Sequence, residues 1–124
     1  MKIEVSNGEI IDKLTIIEIK LERIKDLNKL SNLRKEFKVL DEVAGGIISR
    51  EDALYRELYE VNTRLWDIED RIRELEKSKD FGDEFIETAR SVYFTNDRRA
   101  ELKRLINEKT GSDLREEKSY EDYK

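Results

Sequence analysis

A run of aromatic and polar residues at helical spacing is the first candidate for chemistry in this 124-residue chain. Six residues recur at intervals of 4, 3, 4, 3 and 4, so they would share one face of a helix: Tyr55, Tyr59, Asn62, Trp66, Glu69 and Arg73. Rings interleaved with amide, carboxylate and guanidinium groups are typical of a groove for a sugar, nucleotide or peptide. The alternative is that the rings pack under the following helix, with their polar atoms at solvent or a partner.

A second group, rich in basic residues, follows in the next predicted helix. Arg90, Tyr93 and Asp97 have i, i+3, i+7 spacing, Asn96, Arg99 and Lys103 repeat it alongside, and Arg98 completes the group. Guanidinium groups bind carboxylate or phosphate in a bidentate manner, which favours an anionic small molecule. The alternative is a buried or interfacial ion-pair network with acids of the preceding helix, such as Glu69, Asp70 or Glu76. The predicted ligand-binding residues from both groups are Asn62, Trp66, Glu69, Arg73, Arg90, Tyr93, Asn96, Arg99 and Lys103.

Composition restricts the possible chemistry. The chain has no histidine and no cysteine, which excludes a Ser-His-Asp triad, a thiolate nucleophile and imidazole or thiolate metal ligands. It contains no glycine-rich phosphate loop and no EF-hand pattern. Carboxylate pairs such as Glu57 and Glu60 could hold magnesium, but with 30 acids such spacings arise by chance. We therefore expect no cofactor, no metal and no catalytic residue. A non-catalytic interaction or ligand-binding module is favoured, and the alternative is a small enzyme or accessory factor acting on an anionic sugar or nucleotide.

The charge balance addresses partners and location. A net charge of −5 argues against general nucleic-acid binding, which requires a basic surface. The chain has no apolar run long enough for a transmembrane helix and no signal-peptide pattern, so no membrane association and a cytoplasmic location are expected. Apolar residues make up 37% and charged residues 44%. So small an apolar fraction suits a protein that completes its core as a homodimer, which we expect to pair along the first or third helix.

The apolar residues predict long helices. A heptad seam without interruption indicates a third helix that packs along its whole length: Leu54, Leu58, Val61, Leu65, Ile68, Ile72 and Leu75. We expect this helix to run from an N-cap at Ser49 to about Lys77. The first helix should run from about Gly8 to Lys25 behind a Ser6–Glu9 capping box. It carries Ile16 and Ile19 outside its main apolar stripe, which predicts a central helix or one partly in a subunit interface.

The sequence leaves two possible helix breaks undecided. Asp26 can cap a second helix that ends at Gly45-Gly46, or the first two helices can form one overwound helix. Asp83 should cap a fourth helix whose apolar face begins Phe85, Ile86, Ala89, Val92 and Tyr93. That face then turns polar, so the helix either restarts at residues 95–97 or carries a polar layer inward. Gly111 should end it.

These elements predict an all-α, up-and-down bundle of about four helices, with the long heptad-patterned helix third. One domain should cover residues 1–124, with an N-terminal arm over 1–8, of which residues 1–5 are either a short edge strand or an ordered arm. Residues 112–124 should form a charged C-terminal tail.

Three stretches read EVSNGEIIDKLTI at 4–16, VNTRLWDIED at 61–70 and ARSVY at 89–93, with Asn96-Asp97 following. Together they resemble a family of small uncharacterised proteins from bacteria and their phages. The resemblance implies a stand-alone domain of unknown function and brings no activity, although some relatives are associated with surface-polysaccharide genes. A weaker likeness to the all-helical chorismate mutases rests on residues 11–14 and Glu22-Arg23, and no active site is carried over from it.

Overall fold

The described part of the chain folds into four helices. The computed structural model describes residues 1–115 and 117. The helices are α1 (Asn7–Arg23), α2 (Leu27–Ala44), α3 (Ala53–Lys77) and α4 (Asp83–Thr110). The described part is 76% helical and contains no strand. The predicted all-α helical bundle is therefore confirmed, and the edge-strand alternative for residues 1–5 is wrong. Residues 116 and 118–124 of the predicted tail lie outside the described residues.

Local capping sets the first two helix starts as predicted. The Ser6 hydroxyl accepts a hydrogen bond from the Glu9 N–H at 3.1 Å and so caps α1. The chain then breaks, and the Asp26 carboxylate accepts from the backbone N–H groups of Asn28 at 2.9 Å and Lys29 at 3.2 Å. A capped, extended residue cannot lie inside a helix, so the single overwound helix is wrong.

The starts of α3 and α4 correct two predictions. The N-cap of α3 is Asp52, whose carboxylate accepts from the Leu54 N–H at 2.9 Å, whereas Ser49 makes a local turn before it. Gly82 is the N-cap of α4 and makes no side-chain cap bond. Asp83 is instead the first helical residue, where its charge is favourable near the positive end of the helix dipole.

The fourth helix continues without a restart from Asp83 to Thr110. The inward polar layer is therefore the correct alternative, and Thr95 and Asn107 are buried in it. Gly111 ends the helix with a φ of +67°, a left-handed conformation that favours glycine. Ser112 follows and is buried, because its hydroxyl accepts from the Asn7 N–H at 3.0 Å.

The first helix is central. It contacts α2, α3 and α4, and among the described helices α2 packs only on α1. Ile19 is 1% exposed in a single chain. Ile19 is thus covered by the chain itself, which agrees with the central placement of α1, while Ile16 on the same side is half-buried.

The core is concentrated at one end of the bundle. Its buried residues come from the first half of α1, the end of α2, the first half of α3 and the second half of α4: Ile11, Leu14, Ala44, Tyr55, Leu58, Val61, Leu102 and Ile106. The helices α3 and α4 are antiparallel, since Lys109 pairs with Asp52 at this end and Arg71 Nε donates to Glu84 at 2.9 Å at the other.

Residues 66–94, named here the distal hairpin, extend away from that core. Among the described residues of this hairpin, Leu75 is the only buried apolar one, while Phe81 and Ile86 are 53% and 51% exposed. The seam residues Ile68 and Ile72 are only half-buried. The heptad seam therefore packs α3 on α4 but leaves the distal hairpin short of apolar cover. Over the part of the chain that the structure describes, no helix is both long and apolar enough to cross a membrane.

Candidate functional site

A buried polar network links α1, α3 and α4. Asp12 is 1% exposed, and the Arg99 fork grips its carboxylate through Nε–Oδ1 at 2.8 Å and Nη2–Oδ2 at 2.5 Å. The Asn62 amide donates to Asp12 Oδ1 at 2.9 Å and to the Thr15 hydroxyl at 2.8 Å. We call Asp12, Thr15, Asn62 and Arg99 the Asp12 network. A bidentate pair of arginine and carboxylate has a defined geometry, so this buried pair fixes the position of α4 relative to α1.

The sequence left open whether Arg99 binds an anionic ligand or takes part in an ion-pair network, and in the structure it takes part in a network. The acid that pairs with Arg99 is Asp12 on α1 and not Glu69, Asp70 or Glu76 of α3. The neighbouring Arg98 does pair with an acid of α3, Glu57, at 2.5 Å. The hydrogen bonds that Arg99 donates to the Asp12 carboxylate raise the pKa of Arg99 above its ordinary value. The Arg99 side chain is 30% exposed, so the outer edge of the network reaches solvent.

The start of α1 lies directly against the end of α4. Lys103 Nζ donates to Glu9 Oε2 at 2.6 Å, and the Gly8 N–H donates to the Asn107 side-chain oxygen at 2.6 Å. A Cβ at Gly8 would lie 2.5 Å from the Lys103 carbonyl oxygen. Only glycine permits this approach of the two helices. Gly8, Asp12 and Asn107 were not among the predicted site residues, although the polar Asp12 within an otherwise apolar helix side was a usable signal.

The aromatic residues of α3 face α1. Tyr55 Oη donates to Glu18 at 2.6 Å, and Tyr59 Oη donates to Glu22. Burial, together with these hydrogen bonds to carboxylates, raises the pKa of Tyr55 and raises that of Tyr59 to about 12. The hydroxyls are therefore held as neutral donors within the fold.

Trp66 continues this contact with α1. The Arg23 guanidinium lies 5.9 Å from the centroid of the Trp66 ring, a cation–π distance. Arg23 also binds Asp67 at 2.5 Å. The Tyr55 and Tyr59 hydroxyls thus donate to carboxylates of α1 and do not reach out to solvent or a partner. The Tyr55 ring lies in the core with Leu102 and Ile106 of α4, as the packing alternative expected.

The rest of the α3 polar face points to solvent. Arg73 is 80% exposed and lies 3.4 Å from Glu69, an exposed ion pair of little energetic weight. Asn62, by contrast, is buried in the Asp12 network. The six α3 residues thus divide between the inside and the outside of the bundle.

The basic group of α4 divides in the same way. Arg99 and Lys103 turn inward, whereas Arg90, Tyr93 and Asn96 are exposed. Arg90 Nε lies 3.4 Å from Tyr93 Oη, and its guanidinium carbon lies 6.0 Å from the Phe94 ring centroid. The structure therefore does not bring the nine predicted residues into one place. Their ligand-binding role stays a prediction.

An apolar stripe on the outside of α4 was not expected. Ile86, Tyr93 and Phe94 are 51%, 41% and 45% exposed, and Arg90 lies between them. We call these four residues the outward α4 face. Sequence interpretation placed Ile86 and Tyr93 on the buried stripe, but Phe85, Ala89 and Val92 are the less exposed residues. The i, i+4, i+7, i+8 spacing of the four was the available signal for a second face.

Comparison with known proteins adds one result. No curated protein and no solved structure matches the chain. A family described as a family of unknown function (DUF6165) matches residues 1–123. That match spans the Asp12 network, both polar faces and the distal hairpin. The chain therefore belongs to DUF6165, a family of unknown function.

Proposed function

We propose that the protein is a non-catalytic interaction module that acts as a homodimer, with the outward α4 face as its contact surface. The observation that carries the proposal is the incomplete cover of the distal hairpin. Its residues 66–94 contain one buried apolar side chain, Leu75, but four large apolar side chains that are at least 41% exposed: Phe81, Ile86, Tyr93 and Phe94. Contiguous exposed apolar residues with a charged rim are typical of a protein contact.

The residue types of this face also suit binding to protein. Tyr, Phe and Arg are enriched at contact surfaces because they present a large area with few rotatable bonds or several donors. Arg90 and the two rings already contact one another, so little conformational freedom is lost when a partner covers them.

The anion-binding alternative has less support from the geometry. Arg99 and Lys103 would supply its donors, but both are engaged with carboxylates of α1. An incoming phosphate would have to displace Asp12, which is 1% exposed and would be left buried without its cation. On the outward α4 face the ion pair of Arg90 with Glu87 is exposed, so a partner that replaces it leaves no buried charge behind.

A matched pair of variants tests the proposal by light scattering at high micromolar concentration. Phe94→Asp places a charge on the outward α4 face, and Val39→Asp places the same charge at a 64% exposed residue of α2. We expect the wild type and Val39→Asp to exceed the monomer mass of 14.8 kDa and Phe94→Asp to return it. A wild type that stays at 14.8 kDa refutes the dimer, and equal dimerisation of Phe94→Asp refutes the choice of surface.

A further inference from the structure

The charged residues around the outward α4 face are placed symmetrically along the helix. Between Asp83 and Arg104, at 100° per residue, eight residues of α4 lie within one arc of about 100° that Glu108 also shares: Asp83, Ile86, Arg90, Tyr93, Phe94, Asp97, Glu101 and Arg104. Seven of them are exposed and Asp97 is half-buried. These eight residues form four pairs that are symmetric about the midpoint between Tyr93 and Phe94. The pairs are residues 83 and 104, 86 and 101, 90 and 97, and 93 and 94.

We propose that a second copy of this chain packs its α4 antiparallel against the outward α4 face, with the two-fold axis between Tyr93 and Phe94. This inference rests on the proposed function and names the partner and the register. The axis places Arg90 opposite Asp97 of the second copy and Asp83 opposite Arg104 of the second copy. Tyr93 meets Phe94 of the second copy at the centre. Each pairing occurs twice, as an isologous interface requires.

The charges select this register over its neighbours. Moving the axis by about one turn to Arg90 puts Arg90 opposite its own copy and Asp83 opposite Asp97. Moving the axis to Asp97 puts Asp97 opposite its own copy and Arg90 opposite Arg104. Both shifts bring like charges together, which disfavours them. In the remaining pair, the apolar side chain of Ile86 lies against the aliphatic stem of Glu101 of the second copy.

The existing ion pairs permit this rearrangement. Arg90 lies 3.6 Å from Glu87, and Arg104 lies 2.6 Å from Glu108. All four side chains are at least 46% exposed, so these intrahelical ion pairs contribute little to stability. Little free energy is therefore lost when a contact with a second copy replaces them. The face extends about 32 Å from Asp83 to Arg104. A contact limited to one helix belongs to the small end of specific interfaces, so association in the micromolar range is expected.

Charge exchange tests the register. Arg90→Asp and Asp97→Arg each turn two attractive contacts into repulsive ones, and each should weaken dimerisation roughly tenfold or more. The double variant Arg90→Asp/Asp97→Arg restores opposite charges and should regain most of the wild-type affinity, measured by sedimentation equilibrium. A double variant no better than the worse single variant overturns the register. Helical circular dichroism melts of all three variants show whether each is folded.

Cross-linking gives a test that does not depend on affinity changes. The chain has no cysteine, so single introduced cysteines are unambiguous. In the proposed dimer, residue 83 of one copy lies near residue 104 of the other, while the two copies of residue 83 are about 32 Å apart. A short bismaleimide should link a mixture of Asp83→Cys and Arg104→Cys and should link neither variant alone.

The outcomes separate the two levels of the proposal. A wild type that is monomeric at high micromolar concentration overturns the proposed function and this inference together. A wild type that dimerises, with cross-linking of Asp83→Cys to itself or no cross-linking of the mixture, overturns the antiparallel register alone.

Discussion

Removal of the Arg99 guanidinium tests the role of the Asp12 network. The variant Arg99→Met keeps much of the aliphatic stem but removes both hydrogen bonds to Asp12, at 2.8 and 2.5 Å. Asp12 is 1% exposed, so its carboxylate would remain buried and unpaired. Breaking such a pair costs about 3–5 kcal/mol. Because Arg99 is 30% exposed and water can reach the vacated place, we expect the lower end, about 3 kcal/mol.

That loss is readily measured. For a chain of this length, 1 kcal/mol corresponds to about 3–5 °C in Tm, so Arg99→Met should melt roughly 10–15 °C below the wild type. Circular dichroism melts, with urea titrations for the free energy of unfolding, give both quantities. The control Arg73→Met removes an 80% exposed arginine and should change stability by less than about 0.5 kcal/mol.

Two comparisons sharpen this result. The double variant Asp12→Asn/Arg99→Met should be more stable than Arg99→Met, because it no longer buries an unpaired charge. If Arg99→Met melts within about 2 °C of Arg73→Met, the network contributes little and the reasoning is refuted. Inorganic phosphate that raises the Tm of the wild type but not of Arg99→Met would instead support the anion-binding role of Arg99.

Two further predictions concern close packing and ionisation. Gly8→Ala should destabilise by about 1–3 kcal/mol, since its Cβ would lie 2.5 Å from the Lys103 oxygen, whereas Gly46→Ala, with its nearest atom at 3.7 Å, should be nearly neutral; equal urea midpoints for the two would contradict this. Tyr59 has a pKa raised from 10.0 to about 12, so its stabilisation is complete below pH 10 and is lost as the pH rises through 12. Tyrosinate absorbance should show this late ionisation, and Tyr59→Phe should remove one tyrosine from it while Tyr55 still ionises late; ionisation of every tyrosine near pH 10 would refute it.

Local signals were sufficient for much of the fold. The Asp26 carboxylate caps a helix by accepting from the N–H groups two and three residues further along, so its role could be predicted from four residues of sequence. The start of α3 could not be fixed in this way, because Ser49 and Asp52 both make local turn bonds. The long-range pair between Lys109 and Asp52 is not visible in local spacing.

The candidate site needed information that periodicity lacks. Helical spacing placed Arg99 on the polar side of α4, but its partner Asp12 is 87 residues away in sequence. With 30 acids in the chain, spacing alone does not select one of them. Ile86 and Phe85 are adjacent apolar residues, and which of them faces α3 depends on how far α4 is rotated against α3. The outward α4 face therefore became apparent only in the structure.

A distance between two copies tests the central claim, the antiparallel contact through α4, most directly. A spin label at Glu108→Cys lies just beyond the proposed interface on the same helix. With the axis between Tyr93 and Phe94, the two labelled positions should be about 45 Å apart. Pulsed dipolar spectroscopy at high micromolar concentration should return one distance near that value. Absence of a defined distance, or one below about 20 Å as parallel helices at ordinary packing separation would give, contradicts the proposed dimer.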